Sequence, residues 1–180
     1  MHPDLYRRLY ADPTIHYGDA NYDRSPGVRY LPLFKDFIKG NVVDLGCGRA
    51  QLMEHLIKDD HDITVISIDQ VAVAPKVNAG DITQPLGLEM ALGELGGAAT
   101  AVCIDVVEHL PAEQLPGLFA NMKACERQVI SVHSGSAREI GFEAELHLNQ
   151  LPVDAWEKLL GEHFSVVKRI DIEAGRALFL

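Results

Sequence analysis

Residues Val42 to Gly48 read Val-Val-Asp-Leu-Gly-Cys-Gly, and a helical pattern starts at about Arg49. A β-branched run ends in an acid, the chain turns through two glycines, and a helix begins. Such a turn must bend sharply and stay open to a ligand. Glycine suits both needs, because it has no Cβ to clash at unusual dihedrals or to block close approach. An acid at the strand tip fits a ligand with hydroxyl or ammonium groups better than a bare phosphate. The segment therefore reads as the first contact loop of a nucleotide-like cofactor.

Two related loops are excluded. The dinucleotide fingerprint Gly-x-Gly-x-x-Gly needs a third glycine where Gln51 stands. A phosphate loop needs a Gly-Lys-Ser/Thr ending, which this loop lacks.

From Asn41 onward the pattern alternates between strand and helix. Expected strands are Val42–Leu45, Ile63–Ile68, Lys76–Ala79, Ala99–Val106, Gln128–His133, Phe164–Ile170 and Arg176–Leu180. Expected helices are Arg49–Lys58, Leu88–Leu95, Leu115–Ala124 and Pro152–Gly161, each with apolar residues at helical spacing. Ala99–Val106 is nearly all apolar, as a central strand covered on both faces should be. Glu173-Ala174-Gly175 is a tight connection, so the last two strands are expected to pair antiparallel. Strands separated by helices imply right-handed crossovers and a mostly parallel, doubly covered sheet. Two segments stand outside the alternation. Residues 1–40 form an arm rich in Tyr, Pro and Asp, with a helix expected near Tyr30–Ile38. Residues 134–151 form an insert leaving the sheet edge where ligands bind in such folds.

The chain of 180 residues fits one domain. Its formal net charge of −10 repels phosphate backbones, so no nucleic-acid partner is expected. No apolar run approaches the ~20 residues of a membrane span, and the first forty residues lack a signal-peptide core. A cytoplasmic location with no membrane partner is the expectation. Cys47, Cys103 and Cys125 match neither a zinc pattern nor a redox pair. Cys103 and Cys125 read as core residues, and Cys47 contributes its backbone more than its thiol.

Acids recur at strand ends: Asp44 after the first strand, Asp69 after the second, Asp81 after the third and Asp105 after the fourth. A single one is an ordinary cap or turn residue. Four in succession line one edge of a sheet. Asp69 stands about 20 residues beyond the glycine loop, where a carboxylate can accept two hydrogen bonds from a ribose diol. The same placement serves nicotinamide enzymes.

Taken together, Asp44-Leu45-Gly46-Cys47-Gly48, Ile68-Asp69, Gly80-Asp81-Ile82 and Asp105-Val106-Val107-Glu108-His109-Leu110 resemble, in order and spacing, the motifs of the class I S-adenosylmethionine-dependent methyltransferases. The resemblance covers roughly Asn41 to His133. It implies a Rossmann-like α/β fold: a doubly wound, mostly parallel seven-stranded sheet with an antiparallel C-terminal hairpin. It implies S-adenosyl-L-methionine as cofactor. Asp44, Gly46, Cys47 and Gly48 would form its first loop, and Asp69 with Gln70 would meet the ribose. Asp81 and the backbone of Ile82 would read the adenine. Asp105 and Val106 would lie beside the methionine end, and Glu108 and His109 would orient the loop or face the reactive cavity. Residues 41–180 would form the methyltransferase domain, with residues 1–40 covering the cofactor and residues 134–151 on the substrate side.

The methyl of a sulfonium is already a strong electrophile, so such a protein needs no nucleophile of its own. It must hold an acceptor in line and exclude water. Where the acceptor loses a proton, a base helps, and His133 and His147 are the candidates. Their other readings are a strand cap for His133 and a hydrogen bond fixing the insert for His147. Tyr17, Tyr22, Tyr30, Arg24 and Arg29 in the arm are candidates for covering the cofactor or gripping a substrate. No ligand spacing among Asp, Glu and His supports a metal site, and none is expected. The expected reaction is O- or N-methylation of a small molecule. A nicotinamide-dependent oxidoreductase would need a third loop glycine and a Tyr-x-x-x-Lys group, neither of which occurs. A non-catalytic cofactor-binding protein remains the other alternative.

Overall fold

A computed structural model describes residues 3–12, 25–60, 62–88, 92–93, 99–137, 145–165 and 168–180. Strands β1 (Asn41–Leu45), β2 (Val65–Asp69), β3 (Val77–Ala79), β4 (Ala99–Cys103), β5 (Arg127–His133), β6 (Arg169–Glu173) and β7 (Arg176–Phe179) form one sheet in the order β3-β2-β1-β4-β5-β7-β6. β1 pairs parallel with both β2 and β4, and β4 pairs parallel with β5. β7 runs antiparallel to β5 and to β6, giving the expected hairpin.

Alternation along each strand distributes side chains to two cores. Val43, Ala101, Cys103, Ile130 and Val132 face a cluster with Phe119 and Trp156. Those aromatics come from α4 (Leu115–Met122) and α5 (Val153–His163). Val42, Val102, Val129 and Leu178 face the opposite way, onto Tyr30, Leu31, Phe34, Leu52 and Leu56. These belong to α2 (Pro26–Phe34) and α3 (Gln51–Asp59). A sheet buried on both faces loses its polar alternation, which is why β4 reads as a continuous apolar run. The first helix, α1 (Pro3–Ala11), lies outside this sandwich and anchors through the fully buried Leu9.

Several boundaries differ from the sequence expectation. β4 stops at Cys103 rather than Val106, because Asp105 takes φ +50 and a 3₁₀ turn follows at Val107–His109. α2 starts at Pro26 and passes through Pro32, so the helix lies earlier than the expected Tyr30–Ile38. α5 runs through Gly161 to His163; an exposed glycine costs the helix little enough to be carried when the inner face is packed. β6 begins at Arg169 instead of Phe164, because the Phe164 ring packs edge-on against Phe119, 5.3 Å between centroids. Of the expected helix Leu88–Leu95, only residues 88 and 92–93 are described, and they are helical. Among the described residues no helix is long and apolar enough to cross a membrane.

Candidate active site

The chain leaves β1 toward β2 on one side and returns to β4 on the other, which opens a crevice at the carboxyl ends of β1 and β4. A cleft of about 370 Å³ occupies that position. Of the residues expected to hold a cofactor, Asp44, Gly46, Cys47, Gly48, Asp69, Gln70, Ile82, Asp105 and Val106 all line it. Both candidate bases, His133 and His147, line it too. Asp81 does not. Its Oδ1 accepts from the backbone N–H and hydroxyl of Thr83, 2.9 and 2.6 Å away, and so closes a turn that presents Ile82. Burial raises the Asp81 carboxyl slightly, but the bonds from Thr83 outweigh it and hold the group below its ordinary range.

The glycine loop is held to the sheet by its backbone. The N–H groups of Gly46 and Cys47 donate to the Ile68 carbonyl at 2.8 and 3.2 Å, and the Gly48 N–H donates to Asp69 Oδ2 at 3.0 Å. Gly46 sits at φ +78, and a Cβ there would fall 2.5 Å from Val106 Cγ2. Gly48 sits at φ +55, where a Cβ would fall 2.9 Å from the Tyr10 hydroxyl. Gly46 is therefore required by conformation and by space, and Gly48 is favoured by its left-handed φ, since a tyrosine hydroxyl can swing aside. The Cys47 thiol is pushed up, first by burial and then by the carboxylates of Asp44 and Asp69, so it stays protonated.

Asp44 is 4% exposed, and burial, with Asp69 nearby, raises its carboxyl to about 7. Asp69 is raised too, mainly by desolvation, while bonds from Val71 and Gly48 pull it back. Two acids held out of water against their own repulsion make a receptor for hydroxyl or ammonium donors. The Gln70 side-chain carbonyl is buried without a hydrogen-bond partner. Asp105 is locked at its left-handed φ by Ser131, whose hydroxyl donates to Asp105 Oδ1 at 2.6 Å and accepts from its N–H at 2.7 Å.

At the far end of the cleft, side chains from three segments meet. Glu108 and His109 lie on the 3₁₀ turn after β4, His133 ends β5, and His147 comes from the insert. The His147 ring sits edge-on between those of His109 and His133, with centroids 4.6 and 4.8 Å away. His109 Nδ1 meets the Leu146 carbonyl and the Tyr6 hydroxyl, each at 2.9 Å, which supports its structural reading. His147 Nδ1 bonds the Gly135 carbonyl. His133 Nδ1 faces Arg176 at 3.3 Å. Burial lowers all three imidazoles, so they are neutral near pH 7, with His109 down to about 4.

The described flanks of the insert are tied to their neighbours by hydrogen bonds. Ser134 donates its N–H to the Gly175 carbonyl at 2.7 Å. Glu145 accepts from the Ser136 hydroxyl and from the N–H groups of Ala137 and His147, closing the neck of the insert. Residues 138–144 lie outside the described residues, as do Tyr17, Tyr22 and Arg24 of the arm. Arg29 lines the cleft, whereas Tyr30 is buried beneath it with its hydroxyl 3.3 Å from Arg176. Tyr6 and Tyr10 of α1 also line the cleft, and were missed. Their i, i+4 spacing on one helix face was the available signal.

The chain has the Rossmann-like fold of the class I S-adenosylmethionine-dependent methyltransferases. No protein-family model and no curated protein matches its sequence. Solved structures do match in fold. One is a methyltransferase of Anabaena variabilis described as S-adenosylmethionine-dependent, with a TM-score of 0.65 at 14% identity over 98% of this chain and 90% of that one. A second is the 1,6-didemethyltoxoflavin N1-methyltransferase of Burkholderia thailandensis, solved with its substrate and S-adenosylhomocysteine. Its TM-score is 0.62 at 17% identity over 98% of this chain and 84% of that one. The N-methyltransferase NodS of Bradyrhizobium japonicum, solved with S-adenosylhomocysteine, scores 0.60 at 18% identity over 98% and 95%. Identities this low establish shared architecture and leave activity to the site.

Proposed function

We propose that this protein is an S-adenosylmethionine-dependent methyltransferase acting on a small-molecule acceptor. The observation that carries the reading is the cleft between β1 and β4, where Asp44, Asp69 and Asp105 converge on a glycine loop whose Cβ positions are already taken by Val106 and Tyr10. The residues fit the cofactor. Asp69, with Gln70, offers acceptors for a ribose diol, and the paired acids favour a ligand carrying an ammonium group. The orphaned Gln70 carbonyl awaits a donor. Ile82 supplies an apolar wall and a backbone contact for the adenine. When bound, the sulfonium supplies an electrophilic methyl group.

The chain's own contribution is position and dryness. His133, His147 and Ala137 line the same cleft as Asp105 and Val106 and form the part of it offered to an acceptor. Both imidazoles are neutral near pH 7, the state needed to take a proton from an acceptor hydroxyl or amine. Arg29 and Arg176 stand at the same cleft as counterions for an acidic acceptor. Tyr6 and Tyr10 of α1 cover the cofactor side, and Ala137 and His147 of the insert cover the substrate side. Calorimetric titration with S-adenosylmethionine, S-adenosylhomocysteine and NAD tests the reading. Saturable binding of the first two without the third is expected; binding of NAD alone would sink it.

A further inference from the structure

We propose that Glu108, His133 and His147 form a binding site for a divalent transition-metal ion at the inner end of the cleft. One ligand atom from each of these residues lies within 4.8 Å of the others. Their positions are scattered along the sequence, so no spacing pattern announces them, and the expectation of a metal-free protein rested on that spacing. An ion bound at ~2.1 Å sets neighbouring ligands about 3 to 3.5 Å apart. The cluster therefore closes on an ion with side-chain adjustment and no change of backbone.

Glu108 supplies an independent observation. It is fully buried, and neither carboxylate oxygen makes a hydrogen bond of ordinary geometry, although the backbone N–H groups of Glu108 and His133 lie near enough to favour its charge. A buried carboxyl without partners costs several kcal/mol of lost hydration unless something compensates it. Asn121 and Thr83, also buried, are bonded, whereas the Gln70 carbonyl and Arg176 Nε share the unsatisfied state of Glu108. Of the three clustered side chains, Glu108 is the one whose polar atoms are left unsatisfied. A cation removes the anomaly directly.

The surroundings hold the ligands ready. His147 Nδ1 donates to the Gly135 carbonyl, which leaves Nε2 with its lone pair free, the usual outer support of a metal-bound histidine. Its backbone is pinned from both sides: His147 N–H donates to Glu145 Oε1 at 3.0 Å, and Asn149 N–H donates to the Glu108 carbonyl at 2.9 Å. His133 ends β5 opposite Arg176, whose guanidinium donates to His133 Nδ1 at 3.3 Å, a bond that must break for this imidazole to take an ion. Charge near the site is mixed. The Arg176 guanidinium opposes a cation, whereas Asp105 and Glu145 favour one.

Two imidazoles and one carboxylate suit zinc, cobalt, iron or nickel, and magnesium and calcium prefer oxygen sets. Three protein ligands leave a coordination position open, as in catalytic rather than structural sites. Here that position faces the cleft, because His133 and His147 both line it. An ion held this way occupies the imidazole lone pairs, so it takes the place of the general-base role of His133 and His147, and the favoured acceptors are molecules offering a hydroxyl or carboxylate oxygen to the ion. That assignment of substrate class rests on the methyltransferase reading; the ion site does not.

The test uses the full chain, stripped with a chelator and titrated with Co(II) chloride. One equivalent per chain is expected, with the visible absorption of a nitrogen-ligated ion, displaced by Zn(II). Glu108→Gln and His133→Asn should each weaken binding by more than roughly 100-fold, whereas His163→Ala on α5 should not. Circular dichroism confirms folding, and the half-exposed His133→Asn decides the matter if Glu108→Gln does not fold. Absence of stoichiometric binding, or undiminished binding in the folded variants, overturns the site. S-adenosylhomocysteine binding measured with chelator present judges the methyltransferase reading separately.

Discussion

At the scale of single residues, burial of charge distinguishes this cleft from an ordinary sheet edge. Asp69 spends one oxygen on the Gly48 N–H and the other on the Val71 N–H, so it both shapes the loop and keeps acceptor capacity for a diol. Asp69→Ala is expected to weaken S-adenosylmethionine binding by roughly 1.5–3 kcal/mol, about 10- to 150-fold, measured by calorimetry. Unchanged affinity would remove Asp69 from the ribose site. Asp44 gives a pH signature. Its carboxyl titrates at about 7 in the fold against an ordinary 3.8, so between those values the folded state holds a proton that the unfolded state has lost. Stability without ligand is then fully present below about pH 4 and falls as pH rises to 7, by up to roughly 4 kcal/mol from this group. A ligand ammonium favours the ionised form, so affinity should climb from pH 5 to 7 and level off above. Asp44→Asn should flatten that climb; an equally steep profile in the variant would assign it to another group. The strand-tip acids were legible in the sequence because one local pattern, apolar run then acid then turn, repeats. The Glu108–His133–His147 cluster was not, because only the pairing of β4 with β5 and the return of the insert bring these residues together.

At the scale of elements, apolar periodicity placed the strands and helices, while their ends were decided by contacts that periodicity does not carry. β4 ends early because Ser131, on the neighbouring strand, captures the Asp105 backbone in a left-handed turn. β6 starts late because Phe164 belongs to the α4–α5 layer. The loop that presents Ile82 depends on α4, and no local pattern in the chain signals that dependence. Asn121 Nδ2 donates to the carbonyls of Ile82 and Gln84, both at 2.8 Å, and its Oδ1 accepts from the Leu86 N–H at 3.2 Å. One side chain thus satisfies three backbone groups of the segment that presents Ile82. Asn121→Ala should cost about 3 kcal/mol in urea denaturation, beyond a typical surface substitution, by leaving those groups unpaired. A loss under about 0.5 kcal/mol would mean that water replaces the amide at no penalty.

At the scale of the molecule, the sheet order sets the crevice and α1 closes one side of it. The Tyr10 carbonyl accepts from Arg49 at 3.0 Å, its hydroxyl sits over Gly48, and Tyr6 reaches His109. The helix therefore touches both the glycine loop and the histidine cluster. A short helix resting on the domain chiefly through Leu9 is expected to open locally at lower cost than the strands beneath it. Ligand binding at the loop should couple to that opening, because anything bound only when α1 is docked shifts the equilibrium toward docking. At about 100 times its Kd, S-adenosylhomocysteine should add roughly 2.7 kcal/mol to the free energy of unfolding and raise Tm by about 5–10 °C. Amide exchange should then slow in residues 4–11 as well as in residues 46–48. Protection of the loop without protection of the helix would show that the cofactor is bound without the arm, and would confine the role of α1 to the acceptor side.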